Sequence, residues 1–204
     1  KSLGYDGVEV PIKFGLAIGK KEWDTMLSDN GLTCIYQIFT DGPVAPGHNG
    51  FCGPALEGHP KPGPTVKEHL DVFMDQVVAC YELDTTEFVN SHSGNDYWSF
   101  GEAGEFFAAA LEFAQKGNVK VLHETHRKRF LHSPWIARDF LGKFFLSKFK
   151  AMDLTADLSH WINVAETDTT DEVLTSVIKT IAPQFKHIHC RVGYDHGPQV
   201  SDPR

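Results

Sequence analysis

Short apolar runs rich in β-branched and aromatic residues recur along the chain. Between them lie longer segments whose apolar residues fall at three- and four-residue steps. The short runs predict β-strands and the longer segments predict amphipathic helices. The predicted strands cover residues 5–11, 32–40, 87–91, 119–125, 151–158 and 185–190. The predicted helices cover residues 20–30, 65–83, 99–115, 133–148 and 172–181.

Strands and helices alternate, which is typical of an α/β fold with a parallel sheet and helices outside it. Every connection is long enough for a right-handed crossover. No GxGxxG or Walker loop follows a predicted strand, which argues against a nucleotide-binding open sheet. A barrel gathers all of its strand ends around one axis, so polar residues at several strand ends favour a barrel. The open doubly wound sheet remains the alternative.

One stretch of mixed chemistry stands at a strand end, residues 121–130 (VLHETHRKRF). Its apolar start is followed by Glu124, His126, Arg127 and Arg129, which offer proton-transfer, metal-binding and anion-binding groups. A strand leaving the core into an ordinary charged loop is the simpler interpretation of this stretch alone.

The same kind of strand end recurs at a regular interval. From His92 to Glu124, Asp157 and His189 the steps are 32, 33 and 32 residues, about one strand–loop–helix–loop unit. These polar residues therefore occupy equivalent places in successive units. His160 follows the same predicted strand, three residues after Asp157.

Glu124, Asp157 and His189 form a set of two carboxylates and one imidazole. Such ligands suit a divalent ion, Mn²⁺, Mg²⁺, Co²⁺ or Zn²⁺, without selecting among them. His187 and His189 lie on one face of their strand, and His189 lies nearer its end, so His189 is the predicted ligand and His187 its inner support. A single histidine is more often structural than a ligand; the shared spacing is what favours a site.

Composition narrows the class of protein. The chain has 204 residues and 41% hydrophobic content, which suits one domain over residues 1–204. Neither a membrane span nor a signal peptide is recognisable. The net charge of −8 argues against general binding to nucleic acid or anionic membranes. Four scattered cysteines without a CxxC pair suit reduced thiols in a cytoplasm.

A loop rich in proline and glycine is predicted over residues 41–64. Loops of this length are usually functional or disordered, and a flap over a binding site is the favoured interpretation. Its histidines, His48 and His59, are expected on the surface rather than as ligands.

Four motifs together resemble the xylose isomerase-like barrels, the superfamily that includes hydroxypyruvate isomerase, ketose 3-epimerases and endonuclease IV. The motifs are GYDGVEVP, VLHETH, DLSHW and HIHCR, and the resemblance covers nearly the whole chain. It implies a (β/α)₈ TIM barrel whose metal is held by an acid on strand five, an Asp on strand six, a His on strand seven and a second acid on strand eight. Glu124, Asp157 and His189 match the first three. His160 matches a histidine that touches a substrate oxygen in the epimerases.

The chain departs from the family pattern in three places. It is expected to supply strands two to seven only, truncated at both ends, so the second metal-bound acid has no counterpart. The epimerases have an arginine six residues after the strand-seven histidine, where this sequence has Asp195, and Arg191 is the nearest substitute. Asp195 and His196 lack the spacing of the Asp-x-His pair of endonuclease IV.

The resemblance implies isomerisation or epimerisation of a sugar or sugar phosphate through an enediolate, with Glu124 also moving the proton. His92, Arg127, Arg191 and Trp98 are the predicted substrate contacts. For Arg127 a solvated loop, and for Trp98 simple packing, are the alternatives. The expected partner is a small sugar, with no nucleic acid and no membrane, and a homo-oligomer is possible. An endonuclease IV-like phosphodiesterase and a non-catalytic barrel fragment remain open.

Overall fold

The computed structural model describes residues 3–41, 64–149 and 151–191. His48 and His59 of the predicted flap lie outside these residues, as do Asp195 and His196.

Six strands alternate with helices along the described segments of the chain. The strands are β1 (Gly7–Pro11), β2 (Thr33–Phe39), β3 (Thr86–His92), β4 (Val121–Glu124), β5 (Leu154–Ala156) and β6 (Phe185–Ile188). The helices are α1 (Ile12–Ile18), α2 (Lys20–Asp29), α3 (Val66–Tyr81), α4 (Phe100–Gly117), α5 (Pro134–Asp139), α6 (Leu158–Ala165) and α7 (Glu172–Ile181). A π-helical segment, Phe140–Phe145, continues α5, and a 3₁₀ turn, Ala182–Gln184, follows α7. This order confirms the predicted α/β fold class.

The chain divides into two compact units, of which the first comprises Lys1–His92 and Ala109–Val121. In it β1 pairs with β2 and β2 with β3, all parallel. The amide of Val89 in β3 also bonds the carbonyl of Lys120, the residue before β4, at 3.0 Å. Apolar residues of β2 and α3, such as Ile38 and Phe73, are fully buried in this unit.

The second unit comprises Ser93–Ala108 and Leu122–Arg204. Here β4 pairs with β5 and β5 with β6, again parallel. Glu124 stands opposite Thr155, and Thr155 stands opposite His187. Parallel strands all end at one edge of a sheet, so this register brings the ends of three strands to the same edge.

An aromatic cluster forms the core of the second unit. Phe107 lies 5.6 Å from Phe140, 5.9 Å from Phe130 and 6.3 Å from Phe145, measured between ring centroids. These edge-on and tilted contacts are the arrangements that aromatic rings prefer. These contacts hold α4, the segment after β4 and the π-helical segment together.

Local sequence signals account for several helix ends. Ser99 and Glu102 form a capping box at the start of α4, with Ser99 N–H donating to Glu102 at 2.8 Å and Glu102 N–H donating to Ser99 Oγ at 3.2 Å. Helix α7 has the predicted bounds.

Two helices, α1 and α6, were not predicted. Helix α1 follows β1 directly without a polar break, and its Gly15 is buried where a Cβ would lie 3.1 Å from Leu83 Cδ1. The strand predicted over residues 151–158 ends at Ala156, because Asp157 leaves the sheet and caps α6. The helix predicted over residues 133–148 is α over Pro134–Asp139 and π over Phe140–Phe145.

Cys34, Cys80 and Cys190 are free thiols in the described part of the chain. Burial raises the pKa of the Cys34 thiol to about 12, so that thiol is unreactive at neutral pH.

None of the helices in the described segments combines the length and the apolar character that crossing a membrane requires.

Candidate metal centre

Strand register brings two carboxylates and an imidazole to one edge of the second unit. Asp157 and His189 each lie two residues beyond the row formed by Thr155 and His187, and residues two apart on a strand face the same side. The amide of His189 bonds the carbonyl of Ala156 at 3.0 Å, which extends the ladder past β6 and sets His189 beside Asp157.

The three predicted ligands converge. One ligand atom each from Glu124, Asp157 and His189 lies within 4.8 Å of the other two. His189 Nδ1 is 3.5 Å from Glu124 Oε1 and 3.8 Å from Asp157 Oδ2. Both carboxylates are buried, at 3% and 2% exposure.

Hydrogen bonds fix both the side chain and the backbone of Asp157. Its Oδ1 accepts from the Ser159 N–H at 3.1 Å and from the Ser159 hydroxyl at 2.5 Å, which also caps α6. Its backbone N–H donates to the Thr125 hydroxyl at 2.9 Å. These bonds fix the carboxylate so that Oδ2 faces Glu124 and His189.

The charge state of Asp157 follows from its neighbours. Burial acts to raise the pKa of its carboxyl, but the His189 imidazole, the Ser159 hydrogen bond and the positive charge of Arg191 outweigh burial. The pKa therefore stays below its usual range, and the carboxylate is ionised at neutral pH.

His160 lies at the same place, on the first turn of α6. Its Nε2 is 3.6 Å from Asp157 Oδ2 and 4.0 Å from Glu124 Oε1. Burial, followed by the neighbouring His126, lowers the pKa of His160 to about 3. The rings of His126 and His160 have centroids 3.8 Å apart. His160 is therefore a neutral imidazole at physiological pH.

Arg191 reaches this cluster from the end of β6. Its Nη2 lies 3.0 Å from Asp157 Oδ2 and 2.6 Å from His160 Nε2. Its Nε donates to Ser159 Oγ at 2.9 Å.

The donor set fits a divalent ion. Two buried carboxylates side by side repel each other, and a cation between them relieves that repulsion. Carboxylate oxygens with one imidazole suit Mn²⁺, Mg²⁺, Co²⁺ and Zn²⁺ alike, so the residues do not select one of these ions.

Three further residues were predicted as substrate contacts, Arg127, Trp98 and His92. Arg127 is half-buried, directly after His126. Trp98 is 6% exposed, and its ring packs 5.5 Å from Phe106. It also covers Gly94, where a Cβ would lie 2.6 Å from the indole. His92 belongs to the first unit, where its ring is buried and stacks on Phe39 at 4.3 Å.

Two residues at the cluster, Ser159 and His126, were not among the predicted ligands or substrate contacts. Ser159 joins Asp157 and Arg191, and its signal was the Asp-x-Ser spacing of a helix cap. His126 was visible in VLHETH, but nothing in the sequence paired it with His160.

A family model described as "Xylose isomerase-like TIM barrel" matches residues 1–197. The chain belongs to this family. The match confirms the predicted TIM-barrel fold class and the resemblance drawn from the four motifs. A sequence search among proteins of curated function finds no match.

Solved structures agree on the fold. One is a probable 3-DHS dehydratase of petrobactin synthesis from Bacillus anthracis, with TM-score 0.60, 14% identity, and coverage of 93% of this chain and 64% of that one. A 3-keto-D-glucoside 4-epimerase from E. coli has TM-score 0.59, 14% identity, and coverage of 94% and 70%. A D-psicose 3-epimerase from Clostridium cellulolyticum H10, solved with D-tagatose, has TM-score 0.57, 14% identity, and coverage of 92% and 63%. This chain thus spans roughly two thirds of the length of these structures.

Proposed function

We propose that this chain is a metal-dependent isomerase or epimerase of a small sugar or sugar phosphate, working in the cytoplasm. The observation that carries the proposal is the convergence of Glu124, Asp157 and His189 at three neighbouring strand ends, with His160 beside them. The family membership and the epimerases among the similar structures support it.

Glu124, Asp157 and His189 would hold the divalent ion. When bound, the ion supplies positive charge that lowers the pKa of a C–H beside a carbonyl and stabilises the negative charge developing on the oxygen. Asp157 contributes a carboxylate that is ionised at neutral pH, because its pKa is held low.

Glu124 is the proposed base. Its carboxylate is buried, and its Oε1 faces His160 Nε2 at 4.0 Å and His189 Nδ1 at 3.5 Å. A carboxylate enclosed in this way accepts a proton from carbon and returns it to the neighbouring carbon on the same face, which is isomerisation. Epimerisation, which returns the proton to the opposite face, needs a second acid there as the partner of Glu124.

His160 is the proposed contact to a substrate oxygen. As a neutral imidazole it donates from one nitrogen and accepts at the other, so it bonds a hydroxyl without adding charge. Arg127 and Arg191 offer guanidinium groups for a phosphate or carboxylate of the substrate. The substrate roles of His92 and Trp98 stay predictions.

Proton exchange in D₂O tests the reaction class directly. The Mn²⁺-loaded protein is incubated with tetroses to hexoses, their phosphates and hydroxypyruvate. The C–H beside the carbonyl is then followed by NMR after Mn²⁺ is removed. We expect exchange with at least one substrate, loss of exchange in Glu124→Gln, and no change in Glu112→Gln, a surface carboxylate paired with Lys116.

The endonuclease IV-like alternative is an arm of the same experiment. An oligonucleotide carrying an abasic site is offered under identical conditions. Cleavage of that strand with no exchange on any sugar would contradict the isomerase proposal and favour the phosphodiesterase.

A further inference from the structure

The guanidinium of Arg191 lies against the turn that carries Asp157, Ser159 and His160. One nitrogen, Nη2, contacts two groups at once, Asp157 Oδ2 at 3.0 Å and His160 Nε2 at 2.6 Å. The Nε of the same side chain is anchored on Ser159 Oγ at 2.9 Å.

Both atoms that Nη2 contacts are needed by the proposed chemistry. Asp157 Oδ1 already accepts two hydrogen bonds from Ser159, so Oδ2 is the oxygen turned toward Glu124 and His189. His160 Nε2 is the nitrogen nearest both carboxylates, at 3.6 and 4.0 Å. A single cationic nitrogen thus covers the ligand oxygen and the proposed substrate contact.

We infer that Arg191 is a built-in counter-cation of the Glu124–Asp157–His189 centre, which a divalent ion must displace from Asp157 and a substrate oxygen must displace from His160. This inference rests on the metal centre of the proposed function and adds a regulatory step to it.

Repulsion between positive charges explains why Arg191 and a divalent ion compete for Asp157. A buried carboxylate without a partner is costly, and Arg191 supplies the partner when no ion is bound. A divalent ion bound to the same oxygen repels the guanidinium at this short distance, because charges next to a buried carboxylate are screened less than charges in open water. Arg191 therefore stabilises the metal-free protein and weakens its affinity for the ion.

Removing the charge of Arg191 tests the competition. We compare Mn²⁺ affinity, by calorimetry, in the full chain with Arg191→Met and with Arg138→Met. Arg138 is the matched control, since it also pairs with a carboxylate, Asp139 at 2.6 Å, on the surface. We expect Arg191→Met to bind Mn²⁺ about 5- to 150-fold more tightly, the usual range of coupling between two linked equilibria, and to melt at a lower temperature without metal. Equal or weaker binding in a folded Arg191→Met would overturn the inference, because a residue that merely orients Asp157 would weaken binding when lost.

A second measurement needs no loss of the side chain. In ¹⁵N-labelled wild-type protein the Nε–H signal of Arg191, assigned by its loss in Arg191→Lys, reports the bond to Ser159. We expect this signal to shift or broaden on saturation with Zn²⁺, a diamagnetic ion. An unchanged signal at saturation would contradict displacement, whether or not Arg191→Met folds.

The outcomes separate the inference from the function it rests on. Failure of wild type and Arg191→Met alike to bind Mn²⁺ or Zn²⁺ would contradict the metal centre and the inference together. Tighter binding in Arg191→Met with no turnover of any sugar would support the inference and contradict only the proposed reaction.

Discussion

The hydroxyl of Thr125 holds the backbone of Asp157 from both sides: it accepts from the Asp157 N–H at 2.9 Å and donates to the Asp157 carbonyl at 3.2 Å. Thr125 follows β4 and Asp157 follows β5, so this pair ties together the two strand ends that carry the carboxylates. Thr125 is fully buried, which makes these bonds costly to lose.

We therefore expect Thr125→Val to lower the free energy of unfolding by about 1–3 kcal/mol, because it leaves buried polar groups of Asp157 with fewer partners. We also expect it to weaken Mn²⁺ binding by about 10- to 100-fold, as is usual when a group that orients a ligand is removed. Urea unfolding and calorimetry measure the two effects.

Thr155→Val is the matched control. Thr155 is also fully buried, but its Oγ1 has no hydrogen-bond partner among the residues that the structure describes. The same isosteric change should leave stability unchanged or raise it. If Thr155→Val lowered the free energy of unfolding as much as Thr125→Val, the stabilising role of the Thr125 hydrogen bonds would be contradicted.

A second prediction concerns acid stability in the first unit. Asp24 is buried and accepts from Lys20 Nζ at 2.9 Å, from the Asp84 N–H at 3.2 Å and from the Thr85 hydroxyl at 3.1 Å. Burial acts to raise the pKa of Asp24, but these bonds outweigh it and hold the pKa below 3.8.

The unfolded chain therefore takes up a proton near pH 3.8 that the folded protein takes up only at lower pH. The contribution of Asp24 is complete above that range and is lost as the pH falls through the folded pKa. We expect Asp24→Asn to cost about 1–3 kcal/mol at pH 7 and progressively less below pH 4. The control Asp71→Asn removes a surface carboxylate paired with Lys67 and should change stability little at either pH. A loss of unfolding free energy in Asp24→Asn that is the same at pH 7 and at pH 3 would contradict the lowered pKa of Asp24.

A third prediction concerns Trp161, the tryptophan of the DLSHW motif. Its side chain is fully buried, and its Nε1 donates to the carbonyl of Leu131 at 2.9 Å. We expect Trp161→Phe to cost about 1–3 kcal/mol through the lost bond, while metal binding persists. The half-exposed Trp135 provides the control Trp135→Phe, which should be nearly neutral. A stable Trp161→Phe variant that had lost only substrate affinity would instead favour a sugar contact.

The sequence was sufficient to locate the strand ends approximately, because a strand in a parallel sheet is a short apolar run and polar residues mark where it stops. Equal spacing then predicted that Glu124, Asp157 and His189 would meet, and the register of β4, β5 and β6 brings them together. The assigned roles of these residues stay predictions.

The sequence could not predict contacts that depend on the direction of a side chain rather than on the spacing of residues along the chain. Arg191 lies beyond the last strand, where no periodicity fixes its side chain, so its bond to His160 was invisible. Helix α6 was missed because Asp157 ends a strand and caps a helix at one position, and the apolar run crosses that boundary without a break. Trp98 is 6% exposed, since a residue beyond a strand can turn into the core as readily as out of it, and its substrate role stays a prediction.

The central claim, that Glu124, Asp157 and His189 share one metal ion, is tested most directly by metal content after dialysis. Each is changed to Ala in the full chain, beside His160→Ala and the surface control Glu112→Ala, and bound metal is measured by mass spectrometry. We predict loss of metal in the three ligand variants. Neutral neighbours do not replace the carboxylate charge that Glu124→Ala and Asp157→Ala remove, and His189→Ala removes the imidazole ligand. We predict retention in His160→Ala and Glu112→Ala, with turnover lost only in the former. Full occupancy in both Glu124→Ala and Asp157→Ala would contradict the site and the isomerase mechanism built on it.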